Sequence, residues 1–281
     1  MSILVKELPA FFQPFFDLFS RRNYIGFLCD FCYTKPRDTE RNNFQSLTPE
    51  KCAHRKDDYL HMTIKAVIFD MDGVIFDSEA LVIETWQEVA KRHFFSNVEQ
   101  VCHECLGTNA QATKEIFLKH YGRDFPYDEY KKEMSQLFHE RAAGGKLRQK
   151  PGIKELLHFL KENGLKTAVA SSTRESVVRQ ELSEGGLLKW FDKIICGDMV
   201  SRSKPAPDIF LKACEELEIS PSMAFVIEDS YNGIRAAHEA GTHPIMVPDL
   251  AEPTAEMEEL TVCILPSLLA VKDYLSKTLS L

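Results

Sequence analysis

The sequence predicts an α/β protein: a parallel sheet covered by helices on both faces, with a small all-helical domain set into the chain after the first strand. Three observations predict it. From residue 152 onward, short blocks of β-branched and aromatic residues alternate with segments of helical period. The apolar run Ala66-Val67-Ile68-Phe69 stops at Asp70, as a buried parallel strand stops at its carboxyl end. Between 79 and 148 the helical period persists without a strand pattern.

In chain order, residues 1–61 combine Phe clusters, scattered Pro and the polar stretch TKPRDTERNNFQ. They read as an N-terminal extension with no assigned chemistry. A short amphipathic helix is expected at most over 9–19. The Phe-rich start is broken by Lys6, Glu7, Pro9, Pro14 and Asp17, which is unlike a signal-peptide core. The eight cysteines are therefore expected to be reduced thiols of a cytoplasmic protein. The spacing of Cys29, Cys32, Cys52 and His54 permits zinc, but Cys-x-His is not a usual ligand pair. Cys102 and Cys105 fall in a helical segment and read as a chance pair.

The first strand belongs to an α/β core of residues 62–78 and 149–281, the part expected to carry any chemistry. Helices are expected over 80–93, 98–105, 109–121 and 127–143, forming a helical domain of residues 79–148. Gly144-Gly145 and Pro151-Gly152 punctuate its exit. Then follow a helix at 153–163 closed by Gly164, a strand at 167–170, a helix at 174–185, a strand at 193–196, and a helix running from the 203–208 loop to 217. A strand at 224–227, a helix at 232–240 closed by Gly241, strands at 244–247 and 262–264, and a helix at 267–275 complete the set. Right-handed crossovers between such strands make the sheet parallel and Rossmann-like. A net charge of −8 argues against a nucleic-acid partner, and no apolar run reaches membrane-spanning length. A monomer is expected.

Four strand ends carry polar groups: Asp70 with Asp72, Ser171, the Lys204 loop, and Glu228 with Asp229. In a parallel sheet these ends share one edge, where ligands bind. Each residue has a bland reading as a turn former, a strand-end hydroxyl, a solvated turn or a helix cap. Their order along one edge argues for chemistry instead. Acids, a lysine and a hydroxyl together suit phosphoryl transfer assisted by Mg2+. Asp70 is the candidate nucleophile, and Asp72 the acid that protonates the leaving oxygen and then activates water. Asp70, the backbone carbonyl of Asp72 and Asp229 are candidate Mg2+ ligands, with Glu228 acting directly or through water. Lys204 supplies positive charge and Ser171 a donor to a phosphoryl oxygen.

These motifs resemble the haloacid dehalogenase superfamily of aspartate-nucleophile phosphotransferases. DMDGVIFDSE at 70–79, VASS ending at Ser172, SKPAPD at 203–208 and IEDSYNGIRAA at 227–237 match its four motifs in order. The resemblance covers residues 62 to about 275. It implies that Ser171 and Lys204 bind the transferring phosphoryl group, with Ser172 and Thr173 in the same loop and Arg174 beside them. The helical insert resembles the cap of the branch containing β-phosphoglucomutase and phosphoglycolate phosphatase. Asp72 sets the chain apart from relatives that cleave carbon–halogen bonds, which lack that acid. In resembling mutases a cap arginine falls near the position of Ala110; Lys114 or Arg92 are the available substitutes. The expected function is a Mg2+-dependent phosphatase acting on a small phosphorylated metabolite such as a sugar phosphate. The alternatives are a phosphomutase and a catalytically idle binding protein on the same fold.

Overall fold

The structure, a computed structural model, describes residues 63–105 and 110–279. The chain divides into two units, 1–46 and 47–281, and every described residue lies in the second. The expectations for residues 1–61, including the Cys29, Cys32, Cys52 and His54 pattern, fall outside the described residues.

The sheet is built from β1 (Ala66–Phe69), β2 (Lys166–Ser171), β3 (Lys193–Cys196), β4 (Ala224–Glu228), β5 (His243–Met246) and β6 (Cys263–Ile264). Their order is β3-β2-β1-β4-β5-β6, and every neighbouring pair is parallel. The chain winds outward on one side from β1 to β3, then crosses back to β4 on the other side of β1. The crevice of such a sheet opens at this reversal, at the carboxyl ends of β1 and β4.

Successive strand residues point to opposite faces, and both faces are buried. Val67, Phe69, Phe225 and Ile227 share one core with Leu156, Leu157 and Leu160 of α5 (Ile153–Glu162) and with Val271 and Leu275 of α10 (Leu268–Thr278). Val178 and Leu182 of α6 (Glu175–Glu184) join them. Ala66, Ile68, Ala168 and Val226 face a second core with Phe210 of α7 (Asp208–Glu216) and Ala237 of α8 (Tyr231–Glu239). The apolar residues of α5 at 153, 156, 157 and 160 follow the i, i+3, i+4, i+7 pattern that puts them on one stripe.

Between β1 and α5 lie α1 (Ser78–Arg92), α2 (Val98–Glu104), α3 (Ala110–Tyr121) and α4 (Tyr127–Ala142). They pack on their own core around Trp86, Val89, Val101, Phe117 and Tyr127. Trp86 and Phe117 have ring centroids 4.5 Å apart, within the range of favourable aromatic pairs. A short neck joins this block to the sheet. Asp77 N donates to Arg148 O at 2.8 Å, Lys150 N donates to Ile75 O at 2.9 Å, and Phe76 bridges Gln149 in antiparallel fashion. Cys102 lies on α2 with Cys105 at its end; burial pushes their thiols up to about 12 and about 11.

Boundaries differ from expectation by a residue or two. α1 begins at Ser78 rather than 80, and β5 spans His243–Met246 rather than 244–247. A short helix, α9 (Ala255–Leu260), was not expected at all; Thr254 caps it through its side chain. Among the described residues no helix is long and apolar enough to cross a membrane.

Candidate active site

The buried strands decide where the acids stand. Beyond β1 the chain stays beside β4, because Asp70 N donates to Ile227 O at 2.9 Å. Asp70 therefore lies level with Glu228, the last residue of β4, and with Asp229. All three are nearly devoid of solvent contact, at 7%, 0% and 4% exposure. Lys204 comes from the loop after β3, and its peptide to Pro205 is cis. Its ammonium donates to Asp70 Oδ1 at 2.5 Å, to Glu228 Oε1 at 2.6 Å and to Ala170 O at 3.1 Å. That uses all three of its N–H groups, so the lysine is held at a single position.

Glu228 is fixed from its other side as well. Its Oε2 accepts from Asp229 N at 3.0 Å, Ser230 N at 2.9 Å and Ser230 Oγ at 2.9 Å. The Ser230 hydroxyl oxygen in turn accepts from Gly233 N, which caps α8. Two glycines make room for these acids. A Cβ on Gly233 would overlap the Glu228 carboxylate. A Cβ on Gly73, which has φ +75°, would overlap the Asp229 carboxylate.

Asp72 stands apart from this buried group. Ser78 Oγ donates to its Oδ1 at 2.8 Å and Thr173 Oγ1 to its Oδ2 at 3.2 Å. Both carboxylate oxygens are thereby oriented. Ser171 is fully buried, and its Oγ accepts from Thr173 N at 3.1 Å. Ser172 is exposed and lines a cavity of about 400 Å3 together with Asp70, Asp72, Lys204 and Asp229. The structure thus gathers the sequence-predicted residues at one edge, with Ser172 on the cavity wall and Ser171 behind it.

The electrostatics are those of crowded acids. Burial pushes Asp70 up to about 8; Lys204 pulls against this, while Glu228 and Asp72 add to it. Burial, then Glu228 and Glu79, hold Asp229 well above the usual carboxylate range. Burial opposes the Lys204 ammonium, but the Asp70 and Glu228 charges outweigh it and its pKa rises. Carboxylate oxygens of Asp70, Glu228 and Asp229 lie within 4.8 Å of one another. Such a buried set of hard oxygen donors fits a divalent cation.

Four neighbours went unassigned in the sequence: Ser78, Glu79, Lys150 and Asp249. Glu79 and Asp249 offer oxygens within 4.8 Å of Asp229. Burial pushes Glu79 up to about 7, with Asp249 the next contributor. Lys150 Nζ donates to Asp249 Oδ1 at 2.5 Å, and among the described residues Asp249 Oδ2 is buried without a hydrogen-bond partner. Asp249 had a legible signal, since it follows a strand at the same edge of the sheet. Ser78 and Glu79 stand at the end of the first motif, whose string does not single them out.

A family model described as "Haloacid dehalogenase-like hydrolase" matches residues 67–247. Among curated proteins, a "Phosphorylated carbohydrates phosphatase" of Thermotoga maritima is 32% identical over 182 residues, covering 65% of this chain and 84% of that protein. Among solved structures, CbbY from Rhodobacter sphaeroides in complex with phosphate is 29% identical with a TM-score of 0.58, covering 73% of this chain and 95% of that one. A HAD family hydrolase from Deinococcus radiodurans with bound phosphate and sodium is 25% identical with a TM-score of 0.66, covering 77% and 96%.

Proposed function

The chain belongs to the haloacid dehalogenase-like hydrolases, and from that premise we propose that it is a Mg2+-dependent phosphatase that hydrolyses a small phosphorylated metabolite through an aspartyl-phosphate intermediate. The observation that carries this reading is the buried juxtaposition of Asp70 with Glu228, Asp229 and Lys204. A carboxylate kept in such a place without a reacting group or a cation would be costly.

In this reading Asp70 attacks phosphorus and the ester oxygen leaves. Asp72 gives that oxygen its proton, which two hydroxyl donors help by fixing the carboxyl's orientation. Asp72, now ionised, takes a proton from the water that cleaves the aspartyl-phosphate, and both acids return to their starting forms. Lys204 favours the ionised form of Asp70 and offsets phosphoryl charge. Ser171, Ser172 and Thr173 supply the loop that receives the phosphoryl group. Asp70, Asp229, the Asp72 carbonyl and Glu228 would hold Mg2+, which when bound neutralises charge between carboxylates and phosphate and polarises a phosphoryl oxygen. The helical block over residues 79–148 acts as a cap that excludes water and selects the substrate. A cytoplasmic, monomeric enzyme belongs to the same proposal, and sugar phosphates are the first substrates to screen.

The geometry favours hydrolysis over phosphomutase chemistry. Ala110 lines the catalytic cavity where a mutase would need a second phosphate anchor. Both substitute cations are engaged elsewhere: Lys114 pairs with Asp128 at 2.6 Å, and Arg92 with Glu133 at 2.9 Å and Glu88 at 3.2 Å. Incubation with glucose 1-phosphate separates the two. Release of inorganic phosphate is expected; accumulation of glucose 6-phosphate without release would reverse the choice. EDTA is expected to abolish turnover and Mg2+ to restore it, and full activity in chelator would remove the metal from the reading.

A further inference from the structure

The catalytic cavity has a neighbour. A second cavity of about 270 Å3 lies inside the helical block, and Asp72 and Glu79 line both. Beyond those two acids, Ser78 and Thr113, its wall is two cysteines, Cys102 and Cys105, and apolar side chains: Val82, Ile83 and Trp86 from α1, Phe117 from α3 and Phe138 from α4. No basic side chain lines it among the described residues. The rings are held in place by their own packing, with Trp86 against Phe117 and Tyr127, and Trp86 and Phe117 only 3% and 1% exposed.

Resting on the phosphatase reading, we propose that this cavity receives the alcohol half of the substrate, and that this half carries an uncharged aromatic or similarly apolar ring. The position follows from Asp72: the acid that protonates the leaving oxygen stands at the junction, so the phosphoryl group on one side puts the alcohol on the other. Size agrees, since a cavity of roughly 150 Å3 suffices for a benzene ring. The acids at the mouth repel a second phosphate or a carboxylate on the alcohol. With only Asp72, Ser78, Glu79 and Thr113 as hydroxyl or carboxyl groups on an otherwise apolar and thiol wall, the several hydroxyls of a hexose would not all find partners, and unpaired polar groups are disfavoured.

The test compares kcat/KM of the full-length, Mg2+-loaded protein on benzyl phosphate, glucose 6-phosphate and acetyl phosphate. Benzyl alcohol and a sugar hydroxyl are leaving groups of similar basicity, and the acetyl group is too small to fill the inner cavity. Benzyl phosphate is expected to exceed glucose 6-phosphate by about tenfold or more. Val82→Asp is expected to lower the benzyl-to-acetyl ratio by about tenfold; if that variant loses its circular dichroism spectrum, Phe138→Tyr serves, with a smaller drop in the same direction. Binding is read separately. The chain has two tryptophans, so in a Trp190→Phe background Trp86 alone reports, and benzylphosphonate is expected to change its emission. Preference for glucose 6-phosphate, an unchanged ratio in the variant, or a silent Trp86 would overturn the assignment while leaving the phosphatase reading intact. Failure to hydrolyse even acetyl phosphate would overturn both.

Discussion

The carboxyl edge of the sheet and the interior of the helical block adjoin, yet they follow opposite rules. At the edge, Asp70 and Glu228 are buried around one ammonium with Asp229 beside them, and each position is fixed by hydrogen bonds or by the lack of room beside a glycine. In the block, most of the wall of the inner cavity is Trp86, Phe117 and their apolar neighbours, with the polar groups Asp72, Ser78, Glu79 and Thr113 among them. Buried charge needs near-complete pairing, whereas apolar surface needs only shape and area. Under the proposed function, the difference divides chemistry from selection. A change at the edge is then expected to act on every substrate alike, and a change in the block on some substrates more than others.

The strongest way to break that division is at Asp70. Asp70→Asn is expected to lower kcat by roughly 10^4 or more on every ester tested, because the nucleophile and its charge go together. A loss confined to some substrates would contradict the comparison. Next is Lys204→Ala, which leaves Asp70 and Glu228 buried beside each other without their cation. Destabilisation of roughly 3–5 kcal/mol is expected in urea unfolding of the metal-free protein, since a broken buried pair leaves unpaired charge. An unchanged midpoint would mean that the lysine does not carry the edge.

A subtler expectation concerns pH. Asp70 is raised to about 8 from 3.8, and Glu79 to about 7 from 4.5. Between the ordinary carboxylate range and those values the folded chain holds protons that the unfolded chain has released. Stability of the metal-free protein must therefore fall as pH rises through that window. Melting temperatures in EDTA should be lower at pH 8 than at pH 6, and Mg2+ should flatten the slope; a rise with pH would refute the crowding of acids. The smallest effect is expected from Ser78→Ala. Loss of one donor to Asp72 corresponds to about 1 kcal/mol, or several-fold in kcat, and the loss should be uniform across substrates. A substrate-dependent loss would move Ser78 to the selecting side.

The edge was legible in the sequence because strand ends are. Asp70, Glu228 and Asp229 each follow a block of β-branched and aromatic residues, and a parallel sheet collects such ends without further information. Lys204 was legible through its motif, although its three-way contact was not. Glu79 and Lys150 were opaque for another reason. Their roles depend on where α1 and the neck bring side chains from distant parts of the chain. Lys150, next to Pro151-Gly152 and in no motif, meets an acid 99 residues away. The inner cavity was equally hidden. Trp86 and Val82 followed the period of an amphipathic helix, and a period reports which face is covered, not whether the cover is complete.

The neck has a consequence of its own. Asp77 and Arg148 face each other across one backbone hydrogen bond, so the chain leaves the sheet and returns to it at nearly the same point. Seventy intervening residues are therefore a detour that closes on itself. A short linker between these two positions is expected to shorten the polypeptide without pulling on any strand, and a foreign segment grafted there would inherit the same mooring. If the detour selects the substrate as proposed, exchanging it is expected to change specificity while the reacting groups stay where they are.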